Sequence, residues 1–399
     1  MEAFRDNQVE QARRQGGVIP LGGGRRLLLP RVFGFCGGVV RALFELERCV
    51  REARGQRVFL LGPVIHNDSV NSYFRSLGVD IVPEDGIEGI LGMAGPDDRI
   101  VIPAFGVPLE MEQALRERFA PSQIVDTTCR DVRAVWGFLA GLTGADWTVV
   151  IHGKPDHPET RATLSRARRH AARVVVMPSS DGTAALCRAI RERNWACCPP
   201  AWLCAGATAS PDSGPVALVN QTTMLHDETV ALAAALRQAC HDAGRRCAVA
   251  DTVCRATQNR QDAARELCRQ RPEPVLVVGG FASSNTSQLY RMARECTAAY
   301  MIQSAAALAP DRLRHWLPGV GQQCTADWLP PSWTTVGILA GASCPATDIG
   351  AVIRWFQAQE PASSEHAALA ASEAEQPMRK TGRAGTGRQE RKDGGSDET

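Results

Sequence analysis

Three cysteines occupy one recurring position in this chain. In IVDTTCRDVRAVW, an apolar run ending at Thr127 meets Cys129, and Val132, Val135, Trp136 and Leu139 then fall at helical spacing. AVADTVCRATQNRQDA repeats the D-T-x-C-R order with Asp251, Thr252, Cys254 and Arg255. LLLPRVFGFCGGVVRALFEL sets Cys36 between an apolar run and Val39, Val40, Leu43 and Phe44. A thiol at a helix start faces the positive end of the dipole and free N–H groups, which favour the metal-binding thiolate. Three such thiolates, one from each of three similar units, can converge on a soft metal centre. One coordination position would then lack a protein ligand, and chemistry belongs there.

A second set of residues shares that logic. His66, His157, Thr222, Ser283, Ser284, Asn285 and Ser343 each follow a strand-like run and precede a helical pattern. Open α/β sheets place ligands outside their strand ends, and hydroxyls, imidazoles and an amide at helix starts suit an anion such as a diphosphate. Glu159, two residues after His157, is the nearest motif carboxyl. Taken singly, each has a plainer role: Ser, Thr and Asn cap helices, a histidine sits on a surface, Glu159 opens a first turn, a cysteine fills a core. The threefold recurrence argues for one shared site. Gly153 and Lys154 in HGKPD lack the rest of a phosphate-loop spacing.

Elements must position these groups, and the composition permits them. The chain has 399 residues, 44% hydrophobic, enough for two or three domains with cores. A net charge of +2, with no basic stripe interleaved with aromatics, argues against nucleic acid. The polar start MEAFRDNQVEQARRQ lacks a signal-peptide core, and no apolar run suggests a membrane protein, so the cytoplasm is the expected location. The 14 cysteines in a chain this long do not read as a disulfide framework, and most, such as Cys49, Cys240, Cys268 and Cys296, are expected to be core residues or bystanders.

Runs of strand, polar loop and helix predict an α/β fold with mostly parallel sheets. We expect a flexible N-terminal segment at 1–25, then a first strand and the Cys36 loop at 26–36, which join the centre. Three α/β units follow, at 37–129, 130–252 and 253–359, the second with a Pro-, Ala- and Cys-rich insertion loop at 194–215. The polar, low-complexity stretch 360–399 is expected to be disordered.

The motifs FCGGVVRA, VIHNDSVN, PAFGV, VDTTCRDV, IHGKPDHPETRAT, VNQTTMLHDET, ATQNRQDA, VVGGFASSNTSQL and GILAGASCP stand in one order across residues 26 to 357. In this the chain resembles the 4-hydroxy-3-methylbut-2-enyl diphosphate reductase, or LytB/IspH, family. PAFG, DTTC, HGK, NQTTML and SSNTS resemble its plant and cyanobacterial branch most. The resemblance implies three similar α/β units in a pseudo-threefold trefoil around a 4Fe–4S cluster held by Cys36, Cys129 and Cys254, with the fourth iron free of protein ligands. It implies that His66, His157, Ser283, Ser284, Asn285 and Ser343 hold the substrate's diphosphate while Glu159 and Thr222 serve its hydroxyl end. Two electrons from a ferredoxin or flavodoxin, with protons, would remove that hydroxyl as water and leave isopentenyl and dimethylallyl diphosphates. The chain departs from many bacterial members at Phe105, where they carry histidine and the plant-like branch shares the Phe, and from the family at Arg130 in place of a proline and at Ala346 in place of an acid.

Two other functions compete. A non-catalytic iron–sulfur sensor or electron carrier on the same scaffold would have no need of Glu159, Thr222 and the SSN loop. A structural zinc site wants four closed ligands, usually with short Cys-x-x-Cys spacing, and only Cys197 and Cys198 are close neighbours.

Overall fold

The apolar runs assemble into three sheets. A computed structural model describes residues 1–83, 86–144, 146–205, 214–250 and 252–359. Asp251 and the tail expected to be disordered at 360–399 lie outside the described residues.

The first sheet is wholly parallel, in the order Val79–Val82, Val58–Leu61, Arg99–Ile102, Ile124–Asp126. A second orders Cys247–Val249, Val216–Asn220, Trp147–His152 and Ala171–Met177 in parallel, with Leu203–Ala205 antiparallel at the edge. The third has Arg26–Leu28, Thr335–Ala340, Val275–Val278 and Ala299–Ile302 as its parallel centre. Val18–Pro20 flanks that centre on one side and the hairpin Arg312–Leu317/Gly321–Ala326 on the other, all antiparallel. Central strands such as Val275–Val278 and Val216–Asn220 are buried along their whole length, as continuous apolar runs require when helices cover both faces.

Each cysteine marks a crossing between units. The helix Gly37–Glu52 leaves the third sheet's first strand and buries Val39, Ala42, Leu43 and Leu46 against Val58, Leu60 and Val101 of the first sheet. The helix Arg130–Ala140 leaves the first sheet and packs Val135 and Leu139 on Val149 and Ile151 of the second. The helix Arg255–Arg269 leaves the second and packs Ala264 and Leu267 on Val275 and Val277 of the third. The cycle closes on itself. It brings the three hinge residues to one place, because each hinge sits at the end of one sheet and the start of the next.

Close approaches lock the junctions. A side chain at Gly280 would meet the carbonyl of His66 at 2.1 Å, so the third unit's loop lies directly on the first unit's. Gly106, at φ +74°, has Trp136 2.3 Å from where a Cβ would stand, which accounts for glycine at the end of PAFG.

Residues 1–25, expected to be flexible, carry regular structure. Asn7–Arg14 is a helix capped by Asp6, and Val18–Pro20 pairs with Arg26–Leu28. Val9, Ala12 and Ile19 join the core of the third sheet, and Arg354 pairs with Asp6 at 2.6 Å. Polar composition masks this order, because two buried residues three apart suffice to dock so short a helix. Within the expected insertion loop, Trp195–Cys197 and Pro200–Trp202 are short helical turns before the edge strand Leu203–Ala205, and Trp195 is buried. Residues 206–213 lie outside the described residues.

Candidate active site

Each sheet delivers three neighbouring strand ends to one central cavity of ≈ 740 Å³, open to solvent. The first strand of each trio leads to a cysteine, Cys129, Cys254 or Cys36. The second leads to Phe105, Thr222 or Ser343, and the third to His66, His157 or Ser283. All the residues singled out in the sequence, Glu159, Ser284 and Asn285 included, line this cavity. Asp131, Thr223 and Thr257 line it as well. These three lie beside motif residues, and nothing in their type distinguishes them from helix-opening residues.

The three thiols face the cavity at helix starts. Sγ of Cys36 accepts the N–H of Val39 at 3.4 Å, and Sγ of Cys254 accepts that of Thr257 at 3.3 Å. A Cβ at Gly38 would stand 2.8 Å from Cys129 Sγ and 3.8 Å from Cys36 Sγ, so the missing side chain keeps a cradle open between two sulfurs. The thiols surround the cavity without closing on a point. Among the described residues no three His, Cys, Asp or Glu side chains group tightly enough to hold a single ion.

The helix dipole predicts depressed thiol pKa values, and at Cys129 and Cys254 the structure corrects this. Burial pushes Cys254 up to about 11, against the hydrogen bonds from Thr257. Cys129 is raised too, chiefly by burial. Desolvation outweighs one helix terminus. Without a bound cation Cys129 and Cys254 stay protonated, and metal binding must displace their protons.

The same cavity holds buried polar groups without partners. His66 Nε2, Ser284 Oγ and Asn285 Nδ2 are buried, line the cavity and have no hydrogen-bond partner among the described residues. Asn285 is oriented by the N–H of Ala342, which donates to its Oδ1 at 2.9 Å and leaves the amide N–H groups for a ligand. Ser283 caps the helix Ser284–Arg294, accepting the N–H of Thr286 at 3.2 Å. The Ser343 hydroxyl donates to the His66 carbonyl at 3.2 Å and lies 3.4 Å from that of Ser283. Buried polar groups are almost always paired, so a cluster of unpaired donors at a helix start marks a place for an anion.

The two imidazoles are neutral. Burial lowers His66 to about 4, helped by the charge of Lys154, and puts His157 well below its ordinary value, with His66 and Lys154 adding to the effect. Nδ1 of His157 accepts the N–H of Glu159 at 3.2 Å. Its ring proton therefore sits on Nε2, which becomes a donor. Phe105 stacks on His66 at 4.3 Å and 23° and meets His157 edge-on at 5.3 Å. It is an apolar wall that sets both rings.

Glu159 is 2% exposed. Burial raises its pKa to about 7, opposed by two hydrogen bonds from Thr222 and reinforced by the charge of Asp131. A carboxyl poised there can give or take a proton near neutrality.

Comparison with known proteins places the chain in a family. The family model described as LytB protein matches residues 27–357. The chain belongs to the LytB family. Its LytB relatives include proteins named 4-hydroxy-3-methylbut-2-enyl diphosphate reductase. One, from Synechococcus sp., is 31% identical over 90% of this chain and 92% of the relative. Another, from Gloeobacter violaceus, is 32% identical over 85% and 84%. A solved structure of (E)-4-hydroxy-3-methyl-but-2-enyl diphosphate reductase, described as the terminal enzyme of the non-mevalonate pathway, superposes with a TM-score of 0.52 at 24% identity, covering 83% of this chain and 98% of that one. The Plasmodium falciparum reductase superposes at 0.61 with 18% identity, covering 82% and 87%. At such identity these two establish that this LytB chain shares their fold.

Proposed function

We propose that this chain is a 4-hydroxy-3-methylbut-2-enyl diphosphate reductase of the non-mevalonate isoprenoid pathway. It would convert the allylic alcohol, two electrons and two protons into water and isopentenyl or dimethylallyl diphosphate. The observation that carries this is a single cavity lined by three thiols, by buried polar groups without partners and by a carboxyl raised to about 7.

Thiols spread around a cavity suit a polynuclear iron–sulfur cluster better than a single ion, and the cradle at Gly38 would leave it room. Cys36, Cys129 and Cys254 would hold that cluster, of the 4Fe–4S type. When bound, it supplies electrons and Lewis acidity toward an alcohol oxygen. The chain's own groups do the rest. His66, His157, Ser283, Ser284, Asn285 and Ser343 anchor the diphosphate with neutral donors, so a dianionic end enters without needing a buried arginine. Thr222 holds Glu159 in position, and Glu159 gives the proton that makes hydroxide a leaving group. Ferredoxin or flavodoxin is the proposed electron donor, in keeping with a solvent-reachable cavity. Among the described residues no helix is long and apolar enough to cross a membrane.

The deciding experiment is anaerobic reconstitution, followed by EPR and product analysis with a viologen reductant. We expect the allylic alcohol diphosphate to perturb the cluster signal and both isomeric products to form. A cluster that ignores the diphosphate and turns nothing over would leave an electron carrier or sensor as the answer.

A further inference from the structure

Arg260 is a buried cation with no carboxylate partner among the described residues. It is 4% exposed, and among the described residues its guanidinium makes no ion pair. It donates to the carbonyl of Ala256 at 2.8 Å and to that of Gly34 at 2.5 Å, and its Nε has no partner among the described residues. Gly34 precedes Cys36 by two residues and Ala256 follows Cys254 by two. The side chain thus ties the Cys36 loop to the Cys254 helix, on the wall of the central cavity that Ala256 lines. Burial weakens its charged form, the sulfurs of Cys36 and Cys254 favour it, and Arg13 opposes it. Arg13 itself pairs with Glu10.

A guanidinium does not give up its proton in a protein, and an isolated buried charge costs several kcal/mol. A cluster ligated by three thiolates carries net negative charge, and that charge increases when an electron is added. We infer that Arg260 is the built-in counter-charge of this cluster, stabilising its reduced form and so raising its reduction potential. The inference rests on the cluster proposed above.

The test is a mediated EPR redox titration, with dithionite as reductant, of reconstituted wild type, Arg260→Gln and Arg260→Lys. A wild type that takes up no cluster would sink the proposed function itself. With the cluster in place, loss of the charge in the Gln variant should shift the reduction equilibrium on the order of tenfold toward the oxidised form, about 59 mV lower for one electron. The Lys variant should stay within a few-fold of wild type, since charge and not fork geometry sets the effect. An unchanged potential in the Gln variant overturns the inference, as does an equal drop in both variants. If the Gln variant cannot hold a cluster, the Lys variant decides. A wild-type potential there supports the counter-charge, whereas loss of the cluster or a tenfold shift shows that Arg260 acts only through its hydrogen bonds.

Discussion

Thr222 holds both oxygens of the Glu159 carboxyl: its backbone N–H donates to Oε1 at 2.6 Å and its hydroxyl to Oε2 at 2.9 Å. Thr222 comes from a strand end of the second sheet, and its carbonyl accepts the N–H of Cys254 at 3.0 Å. One residue therefore ties the acid to the thiol loop, and changes at either partner have separable consequences.

Glu159→Gln keeps size and hydrogen bonding but removes the transferable proton. Turnover should fall at least about a hundredfold while cluster absorbance and substrate binding persist. In the wild type the acid form prevails below a pKa of about 7, so kcat should decline as pH rises through that value. Stability follows the same sign. The folded carboxyl binds its proton more tightly than the unfolded one, whose ordinary value is 4.5, so the fold loses stability as pH climbs from there to about 7. Urea unfolding across this window should show a slope that the Gln variant lacks. Near wild-type turnover in Glu159→Gln would assign the proton to water or to the substrate.

Thr222→Val leaves the backbone donor and deletes the hydroxyl. That hydrogen bond lowers the Glu159 pKa, so its loss should move the alkaline limb of the rate profile upward by about one unit. An unmoved limb would mean that the hydroxyl does not act on the titrating group.

Ser284 and Asn285 separate ligand binding from folding. The Ser284 hydroxyl has no partner to lose among the described residues, so Ser284→Ala should alter stability by no more than about 0.5 kcal/mol yet weaken diphosphate binding roughly tenfold or more. Asn285→Ala should weaken binding as well and cost about 1–3 kcal/mol of stability, because the Ala342 N–H loses its acceptor. Calorimetric titration and thermal melts distinguish the two. Unchanged affinity in both variants would remove this loop from the anion site.

Serine replacements sort the thiols. Cys36→Ser, Cys129→Ser and Cys254→Ser should each abolish or cripple the visible iron–sulfur absorbance, whereas Cys187→Ser, in the core behind the second sheet, and Cys204→Ser, on its edge strand, should keep it. A colourless Cys204→Ser protein beside a normal Cys129→Ser protein would overturn the ligand assignment.

The strand–cysteine–helix repeat, the polar strand-end loops and the α/β class were legible because each rests on local periodicity and on what a helix start does to nearby groups. Residue order alone was enough to resemble a family. It could not show that Gly38 leaves a cradle between two sulfurs, that Phe105 stacks on His66, or that Arg260 reaches Gly34 over a separation of more than two hundred residues. The sign of the Cys254 shift is hidden for the same reason: a helix dipole is written in local sequence, but the desolvation that overrides it depends on burial among elements far apart in the chain. The docked N-terminal helix was hidden likewise, since Val9 and Ala12 find their partners near residue 350. Sequence by itself determined which groups stand at the strand ends. Only the cyclic hand-over of helices from sheet to sheet decided that those ends share one cavity, buried enough to lift Glu159 toward neutrality.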